Sequence, residues 1–170
     1  VIGAALQEAA LDPLLTGRDH LRLQATLQGV RKDQRASRAE ELLHRVGLAD
    51  AADRKVSGYS GGMKRRLDLA LALVHSPRVL FLDEPTASLD PDIAEKIRLL
   101  LKEARRASGL SILYTSHNMR EMEEMSDRII FLQRGRIVAE GTAREIIDRF
   151  GKADLEEVFL KFAREQRQAS

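Results

Sequence analysis

The chain has 170 residues, of which 44% are hydrophobic, enough to fill one domain-sized core. Its 28 basic and 26 acidic residues leave a net charge of only +2, which argues against the basic footprint of a nucleic-acid-binding domain, so no nucleic acid partner is expected. The absence of cysteine excludes disulfides and thiolate metal sites. No apolar run approaches the ~18 residues of a membrane span, so we expect a membrane role only through a partner.

Helices are predicted for the first half of the chain. Thr16 and Asp19 have the spacing of a capping box and predict the start of the first helix. Apolar periodicity predicts a second helix over about 32–46. Ser60 is the candidate N-cap of a third helix, which ends before Pro77. The first strand is expected only after that proline.

Strands and helices alternate after this point. The continuous apolar run Val79–Leu82 predicts a strand buried on both faces. Asp90 and Pro91 are typical of an N-cap and the first position of a helix, and Ser111–Thr115 is the next predicted strand. This alternation favours an α/β fold with a parallel sheet. Ligands of such sheets bind beyond the carboxyl ends of the strands.

The last third of the chain is predicted to hold a hairpin and three helices. Arg134-Gly135 has the composition of a two-residue turn between two strands. A short helix is expected over about 118–126, and Thr142 begins another with a capping box. The C-terminal helix is predicted to place one apolar stripe against the core, formed by Leu155, Val158, Phe159 and Phe162.

Two adjacent carboxylates, Asp83 and Glu84, follow the buried strand. At a strand end the backbone turns, so both can face a phosphate-bearing cleft. Asp83 suits Mg²⁺, which prefers oxygen ligands and keeps several waters, and Glu84 suits the orientation or deprotonation of a water molecule. The alternative is an ordinary strand that ends in acidic turn residues.

Ser60, Gly61 and Gly62 stand at the start of an apolar helix. Glycines let backbone N–H groups approach a phosphate, and a helix N-terminus favours anions. The alternative is a plain serine N-cap. The spacing of this segment before the strand and its two carboxylates favours the phosphate interpretation.

His117 follows the strand Ser111–Thr115, where a neutral imidazole can hydrogen-bond a terminal phosphate and a nearby water. A capping or surface histidine is the alternative. The other three histidines, His20, His44 and His75, are expected at helix surfaces or ends. The basic cluster Lys64-Arg65-Arg66 is interpreted as a solvated helix face.

The order of these segments resembles that of the ATP-binding cassettes of ABC ATPases. It matches their Q-loop, signature, Walker B motif, D-loop and switch histidine at Gln7, Ser60–Met63, Asp83-Glu84, Ser88–Asp90 and His117. The variant Tyr59–Met63, with Thr16–Asp19 and Asp154–Phe159, is similar to the daunorubicin-resistance-type drug exporters.

The resemblance implies a P-loop NTPase (RecA-like) parallel sheet with an inserted helical subdomain, the latter over about 8–76 and the core over about 77–170. No G-x-x-x-x-G-K-[ST] phosphate loop (Walker A motif) occurs in the sequence. We therefore expect the C-terminal two-thirds of a cassette, without the N-terminal β part. The strand that normally lies beside Val79–Leu82 is expected to be missing, which would leave that strand with an open edge.

The resemblance also implies the chemistry. Two cassettes would sandwich ATP with Mg²⁺, and hydrolysis would depend on positioning and charge stabilisation. Glu84 and His117 would be catalytic, and Asp83 with Gln7 would serve the metal. Ser60, Gly61 and Gly62 would bind the partner's nucleotide, and Asp90 would make a contact across the dimer.

The implied partners are a second cassette and membrane-spanning permease subunits, so that the chain would be cytoplasmic and peripheral to the inner face of the cell membrane. The expected function is to power the export of drugs, lipids or similar compounds. Two alternatives stay open. One is a non-transport ABC protein, and the other is a non-catalytic cassette remnant that pairs with another cassette.

Overall fold

A computed structural model describes residues 2–6, 10–87 and 89–168, with side chains up to residue 164. The chain divides into two compact units, 1–115 and 116–170. The first unit contains β1 (Ile2–Ala5), α1 (Gly17–Leu27), α2 (Arg35–Arg45), α3 (Gly61–Leu73), β2 (Val79–Asp83), α4 (Pro91–Ser108) and β3 (Ser111–Thr115). The second contains α5 (Met119–Met125), β4 (Ile129–Gln133), β5 (Arg136–Gly141), α6 (Ala143–Phe150) and α7 (Leu155–Gln168).

The helices of the first unit begin close to the predicted residues. Thr16 caps α1 through the expected capping box, since its hydroxyl accepts from the amide of Asp19 and the Asp19 carboxylate accepts from the amide of Thr16. Helix α2 begins at Arg35, a few residues later than predicted, and its N-cap residue Gln34 makes no side-chain capping bond. Leucines of α1, α2 and α3 form a core from which solvent is excluded, at Leu21, Leu42, Leu43 and Leu67.

The sheet of the first unit is parallel, with the order β1-β2-β3. Strand β1 was not expected, since Ile2-Gly3-Ala4-Ala5 has little β-propensity. It forms because Gly3 fits against the backbone of α3, where a Cβ atom would lie only 2.3 Å from the carbonyl oxygen of Ala72. The prediction of an open edge along Val79–Leu82 is therefore wrong, because β2 is the central strand with a neighbour on each side.

Only one face of this sheet is well buried. Leu80 and Leu82 of β2 are 0% and 3% exposed, whereas Phe81 between them is 38% exposed. The expectation that β2 is buried on both faces is thus wrong. The register places Ala4, Phe81 and Leu113 in one row. We call the exposed apolar surface formed by Ile2, Ala4, Phe81 and Leu113 the open face.

The second unit has its own core. Strands β4 and β5 pair antiparallel through the predicted turn, in which Arg134 and Gly135 both have positive φ, as a type I′ turn requires. The core consists of Ile129, Ala139, Ile146, Leu155 and Val158, with Phe131, Phe150 and Phe162 packed against it. Phe159 departs from the predicted stripe, because it is 40% exposed.

Among the described residues, no helix is both long and apolar enough to cross a membrane.

Candidate functional site

The two predicted carboxylates lie at the carboxyl end of the central strand. Thr115, which ends β3, donates a hydrogen bond from Oγ1 to Oδ1 of Asp83 at 2.5 Å. The amide of Glu84 donates to the carbonyl oxygen of Thr115 at 3.2 Å and to its Oγ1 at 3.1 Å. One threonine therefore fixes both the Asp83 side chain and the Glu84 backbone.

Glu84 has a left-handed backbone, with φ of +51°. This conformation costs a non-glycine residue about 1–2 kcal/mol. It is held by the bonds to Thr115 and by the amide of Ala87, which donates to the carbonyl of Glu84 at 3.2 Å. The strand alternation is thus broken at Glu84, as the sequence-based interpretation requires.

The possible metal ligands at the carboxyl end of β2 are carboxylate oxygens, which are hard ligands. Mg²⁺ is commonly held by one or two carboxylates, with waters and phosphate oxygens completing its shell, and Asp83 fits such a site. Among the described residues, no group of three or more His, Cys, Asp or Glu could hold a metal ion, so an ion bound here would take further ligands from outside those side chains.

Ser60 is the N-cap of α3, and its Oγ accepts from the amide of Met63 at 3.3 Å. The capping role considered as an alternative is therefore real. Gly61 faces open space, since a Cβ atom added there would meet nothing within 4 Å. Gly62 differs, because its Cβ would lie 3.3 Å from Leu89. The packing of the described residues accounts for Gly62 but not for Gly61.

Tyr59 anchors this segment, a role that the sequence-based reasoning missed. Its ring is buried, its hydroxyl donates to the carbonyl of Ala51 at 2.7 Å, and Gly17 leaves room for it. Burial raises the pKa of the Tyr59 phenol, which stays protonated as a donor. The available signal was a lone aromatic residue next to a glycine-rich helix start.

The interpretation of Lys64-Arg65-Arg66 as a solvated face is wrong for two of its residues. The Arg65 side chain is only 12% exposed and donates to the carbonyls of Leu6 and Asp83. Arg66 donates to the carbonyls of Val46 and Gly47 at 2.9 and 2.8 Å, and so caps the end of α2. Burial lowers the pKa of the Arg66 guanidinium.

Two of the remaining predicted residues lie outside the described part of the chain. These are Gln7 and Ser88. Asp90 occupies the N-cap position of α4 as expected, but its side chain makes no capping hydrogen bond.

His117 belongs to the second unit, whereas Asp83, Glu84 and Ser60 belong to the first. It is exposed and contributes to a groove of about 280 Å³ in its own unit, lined also by Asn118, Met119, Arg120, Glu156, Phe159 and Leu160.

His20 lies in the first turn of α1, a helix end as expected, but it is buried rather than on the surface, with 7% of it exposed. The amide of Asp12 donates to its Nε2 at 3.0 Å, and its Nδ1 lies 2.9 Å from the carbonyl of Thr16. A neutral ring protonated at Nδ1 satisfies both contacts. His20 therefore fixes the segment that leads into α1.

The fold and this site define an α/β nucleotide-binding class of protein, with carboxylates at the carboxyl edge of a parallel sheet. A family profile described as "ABC transporter" matches residues 1–87, half of the chain. The chain belongs to the ABC transporter family.

Relatives with known roles support this assignment. The chain is 38% identical over 150 residues to the linearmycin resistance ATP-binding protein LnrL of Bacillus subtilis (strain 168), covering 88% of the chain and 48% of that protein. It is 43% identical over 145 residues to the doxorubicin resistance ATP-binding protein DrrA of Mycobacterium tuberculosis (strain ATCC 25618 / H37Rv), covering 85% and 44%. The chain thus spans about half the length of these curated relatives.

Solved structures agree with the fold. An ATP-binding subunit of an ABC transporter superposes with a TM-score of 0.86 at 26% identity, covering 95% of this chain and 68% of that one. A dimeric ATP-binding cassette in a post-hydrolysis state, bound to ADP and Pi, gives 0.76 at 30% identity, covering 83% and 62%. The chain has the α/β fold of ABC ATP-binding subunits.

Proposed function

We propose that the chain forms the signature and Walker B part of an ATP-hydrolysing cassette that powers an exporter. The observation that carries the proposal is the carboxyl end of β2, where Thr115 holds Asp83 and fixes the left-handed backbone of Glu84. Perturbed or strained geometry of this kind is typical of functional sites. Residues of about 8–76 would be the signature-bearing helical subdomain.

The residues take distinct roles in this reaction. Asp83 would hold Mg²⁺, which when bound neutralises the developing phosphate charge. Glu84 orients the attacking water and accepts its proton. His117 donates a hydrogen bond to the terminal phosphate oxygen. Gln7 serves the metal and the water, and its loop meets the permease subunits.

The signature residues act on the nucleotide of a second cassette. Ser60 and Gly61 are exposed at the start of α3, with open space in front of Gly61. Backbone amides of a helix N-terminus favour a phosphate at this position, and Asp90 contacts the partner across the same dimer. The similarity to a dimeric cassette bound to ADP and Pi supports this arrangement.

The test uses an intact cassette, by which we mean this chain joined to an upstream segment with a G-x-x-x-x-G-K-[ST] loop. Glu84→Gln keeps the shape of the side chain but cannot accept a proton, so we expect turnover to fall at least ~100-fold with ATP binding unchanged. Glu95→Gln on the exposed side of α4 is the control. Steady-state hydrolysis and ATP-dependent dimerisation are measured, and unchanged hydrolysis in Glu84→Gln would remove Glu84 from the mechanism.

The 170 residues contain no G-x-x-x-x-G-K-[ST] phosphate loop, a segment that supplies most phosphate contacts in related sites. We therefore expect these 170 residues by themselves to bind Mg-ATP weakly or not at all. Calorimetric titration with Mg-ATP measures this binding, and low-micromolar affinity would mean that these residues contain another phosphate site.

A further inference from the structure

Arg65 connects three elements of the first unit. It lies one turn into α3, and its side chain is 12% exposed. Nη1 donates to the carbonyl of Leu6, directly after β1, and Nη2 donates to the carbonyl of Asp83, the last residue of β2. A single guanidinium therefore holds the carboxyl ends of two neighbouring strands.

These two hydrogen bonds lie just beyond the last residues that pair between β1 and β2. The last paired residues of β1 and β2 are Ala5 and Leu82, so the next carbonyls along the two strands are those of Leu6 and Asp83. A planar guanidinium presents parallel N–H donors that reach two acceptors at once, whereas an ammonium is a compact point charge. The site thus requires arginine rather than a generic cation.

Asp68 supplies the countercharge from the same helix. Its Oδ2 lies 3.5 Å from Nη1 of Arg65, and its side chain is 15% exposed. Oδ2 has no hydrogen-bond partner among the described residues. Burial raises the pKa of this carboxyl to about 6, and the charge of Arg65 opposes that rise. The pair is therefore enclosed, and removal of one member alone leaves a buried charge.

We propose that Arg65, held by Asp68, is a positioning residue that ties the helix bearing Ser60-Gly61-Gly62 to the strand ends at Leu6 and at Asp83-Glu84. This inference rests on the proposed function of those residues. Arg65 bonds to the main-chain carbonyls of Leu6 and Asp83, so it acts on turnover through the backbone of Asp83 and Glu84. Movement of α3 on engagement of a partner would reach both strand ends through this one side chain.

The chain offers a matched control in Arg38. Its guanidinium also donates to two main-chain carbonyls, those of Leu73 at 3.0 Å and Val74 at 3.3 Å, and it pairs with Glu41 three residues on. These contacts lie at the end of α3 away from the carboxylates. Arg38→Lys therefore reproduces the structural loss of Arg65→Lys without touching the strand ends.

The kinetic test compares the two variants in the intact cassette. We expect Arg65→Lys to lower kcat about 10-fold or more while the KM for ATP changes less than about threefold, since the bonds that are lost go to the main chain. Arg38→Lys should keep kcat within about twofold. Equal losses of kcat in both variants would overturn the positioning role.

A second readout needs no activity. Hydrogen exchange on the 170-residue chain should accelerate about 10-fold at the amide of Glu84 in Arg65→Lys and stay unchanged in Arg38→Lys. If the parent cassette fails to hydrolyse ATP, the proposed function fails, while faster exchange at Glu84 in Arg65→Lys still supports the positioning role of Arg65. Unchanged exchange at Glu84 in Arg65→Lys overturns that role.

A double variant keeps the test decisive if Arg65→Lys does not fold. Arg65→Met with Asp68→Leu removes both charges and retains apolar volume, an exchange that is often neutral for stability. Its control is Arg38→Met with Glu41→Leu. We expect the folded Arg65 double variant to show the same fall in kcat and the same faster exchange at Glu84. Parental kcat in this variant overturns the inference.

Discussion

Thr115 serves two partners with a single hydroxyl, because its Oγ1 donates to Asp83 and accepts from the amide of Glu84. Thr115→Val keeps the β-branched shape but removes the hydroxyl. We expect a loss of about 1–2 kcal/mol in the free energy of unfolding. In the intact cassette, the Mg²⁺ concentration for half-maximal turnover should rise. Urea unfolding and a Mg²⁺ titration of ATP hydrolysis measure these effects.

The conservative replacement at the same position is the control. Thr115→Ser retains the hydroxyl, so both the stability and the Mg²⁺ dependence should stay close to those of the parent. If valine and serine behave alike, the hydroxyl does not position Asp83, and the geometry at the end of β2 has another cause.

Asp68 gives the stability of the chain a pH dependence. Its folded pKa of about 6 lies above the ordinary value of 3.8, so between these values the folded state binds more protons than the unfolded state. This contribution to stability is present below pH 3.8 and is lost as the pH rises through about 6. Allowing for partial exposure, its size is on the order of 2 kcal/mol.

Asp68→Asn mimics the protonated acid and should abolish this loss. Urea unfolding from pH 4 to pH 7 is the measurement, and the difference between parent and variant isolates Asp68 from the other carboxylates. A difference that does not change with pH would mean that Asp68 titrates normally in the folded chain.

At the scale of elements, a single glycine at the N-terminus of α3, Gly61, allows an effect on stability to be distinguished from an effect on phosphate binding. Gly61 has no neighbour that would meet a Cβ atom, so Gly61→Ala should raise the free energy of unfolding by up to about 1 kcal/mol. In the proposed function a partner's phosphate binds at this glycine, so the same methyl group should weaken ATP-dependent dimerisation of the intact cassette. Chemical denaturation measures the change in the free energy of unfolding, and size-exclusion chromatography measures ATP-dependent dimerisation.

Gly58→Ala is the matched control, because a Cβ there would make only an ordinary contact at 3.7 Å with Arg54. It should leave dimerisation unchanged. If Gly61→Ala also pairs normally with ATP, the glycine is not needed for a phosphate, and Ser60 and Gly61 form a helix cap only.

Local signals explain which elements the sequence predicts well. The capping boxes at Thr16 and Thr142 and the turn at Arg134-Gly135 depend on residues within a few positions of each other, and the structure confirms them. Strand β1 was missed because it depends on the fit of Gly3 against α3, far along the chain.

In the candidate site, too, some features follow from local sequence and others do not. Its carboxylates and its helix cap follow from short motifs, whereas the role of Arg65 does not. The two carbonyls that it binds lie 59 and 18 residues away in sequence, and the buried Asp68 on the same apolar helix was the only local sign. Assignment of Glu84, His117 and Ser60 to steps of hydrolysis stays a prediction, which the variants above test.

At the scale of the whole molecule, the open face governs how the chain behaves by itself. Phe81 and Leu113 are 38% and 59% exposed in adjacent strands, with Ile2 61% exposed beside them. Contiguous apolar surface of this kind recruits other chains. We therefore expect the 170-residue chain to self-associate, through the face of its sheet rather than through an open edge of β2.

Light scattering of the chain across a concentration series measures this association. Phe81→Thr with Leu113→Thr should shift it toward monomer, because threonine keeps the β-propensity of the strands while removing most of the apolar surface. Leu27→Thr is the control, since Leu27 is 71% exposed on α1, away from the sheet. The intact cassette should also associate less without ATP if its upstream segment covers the open face. A monodisperse parent chain at high micromolar concentration, or equal effects of the sheet and control variants, would show that the open face does not drive association.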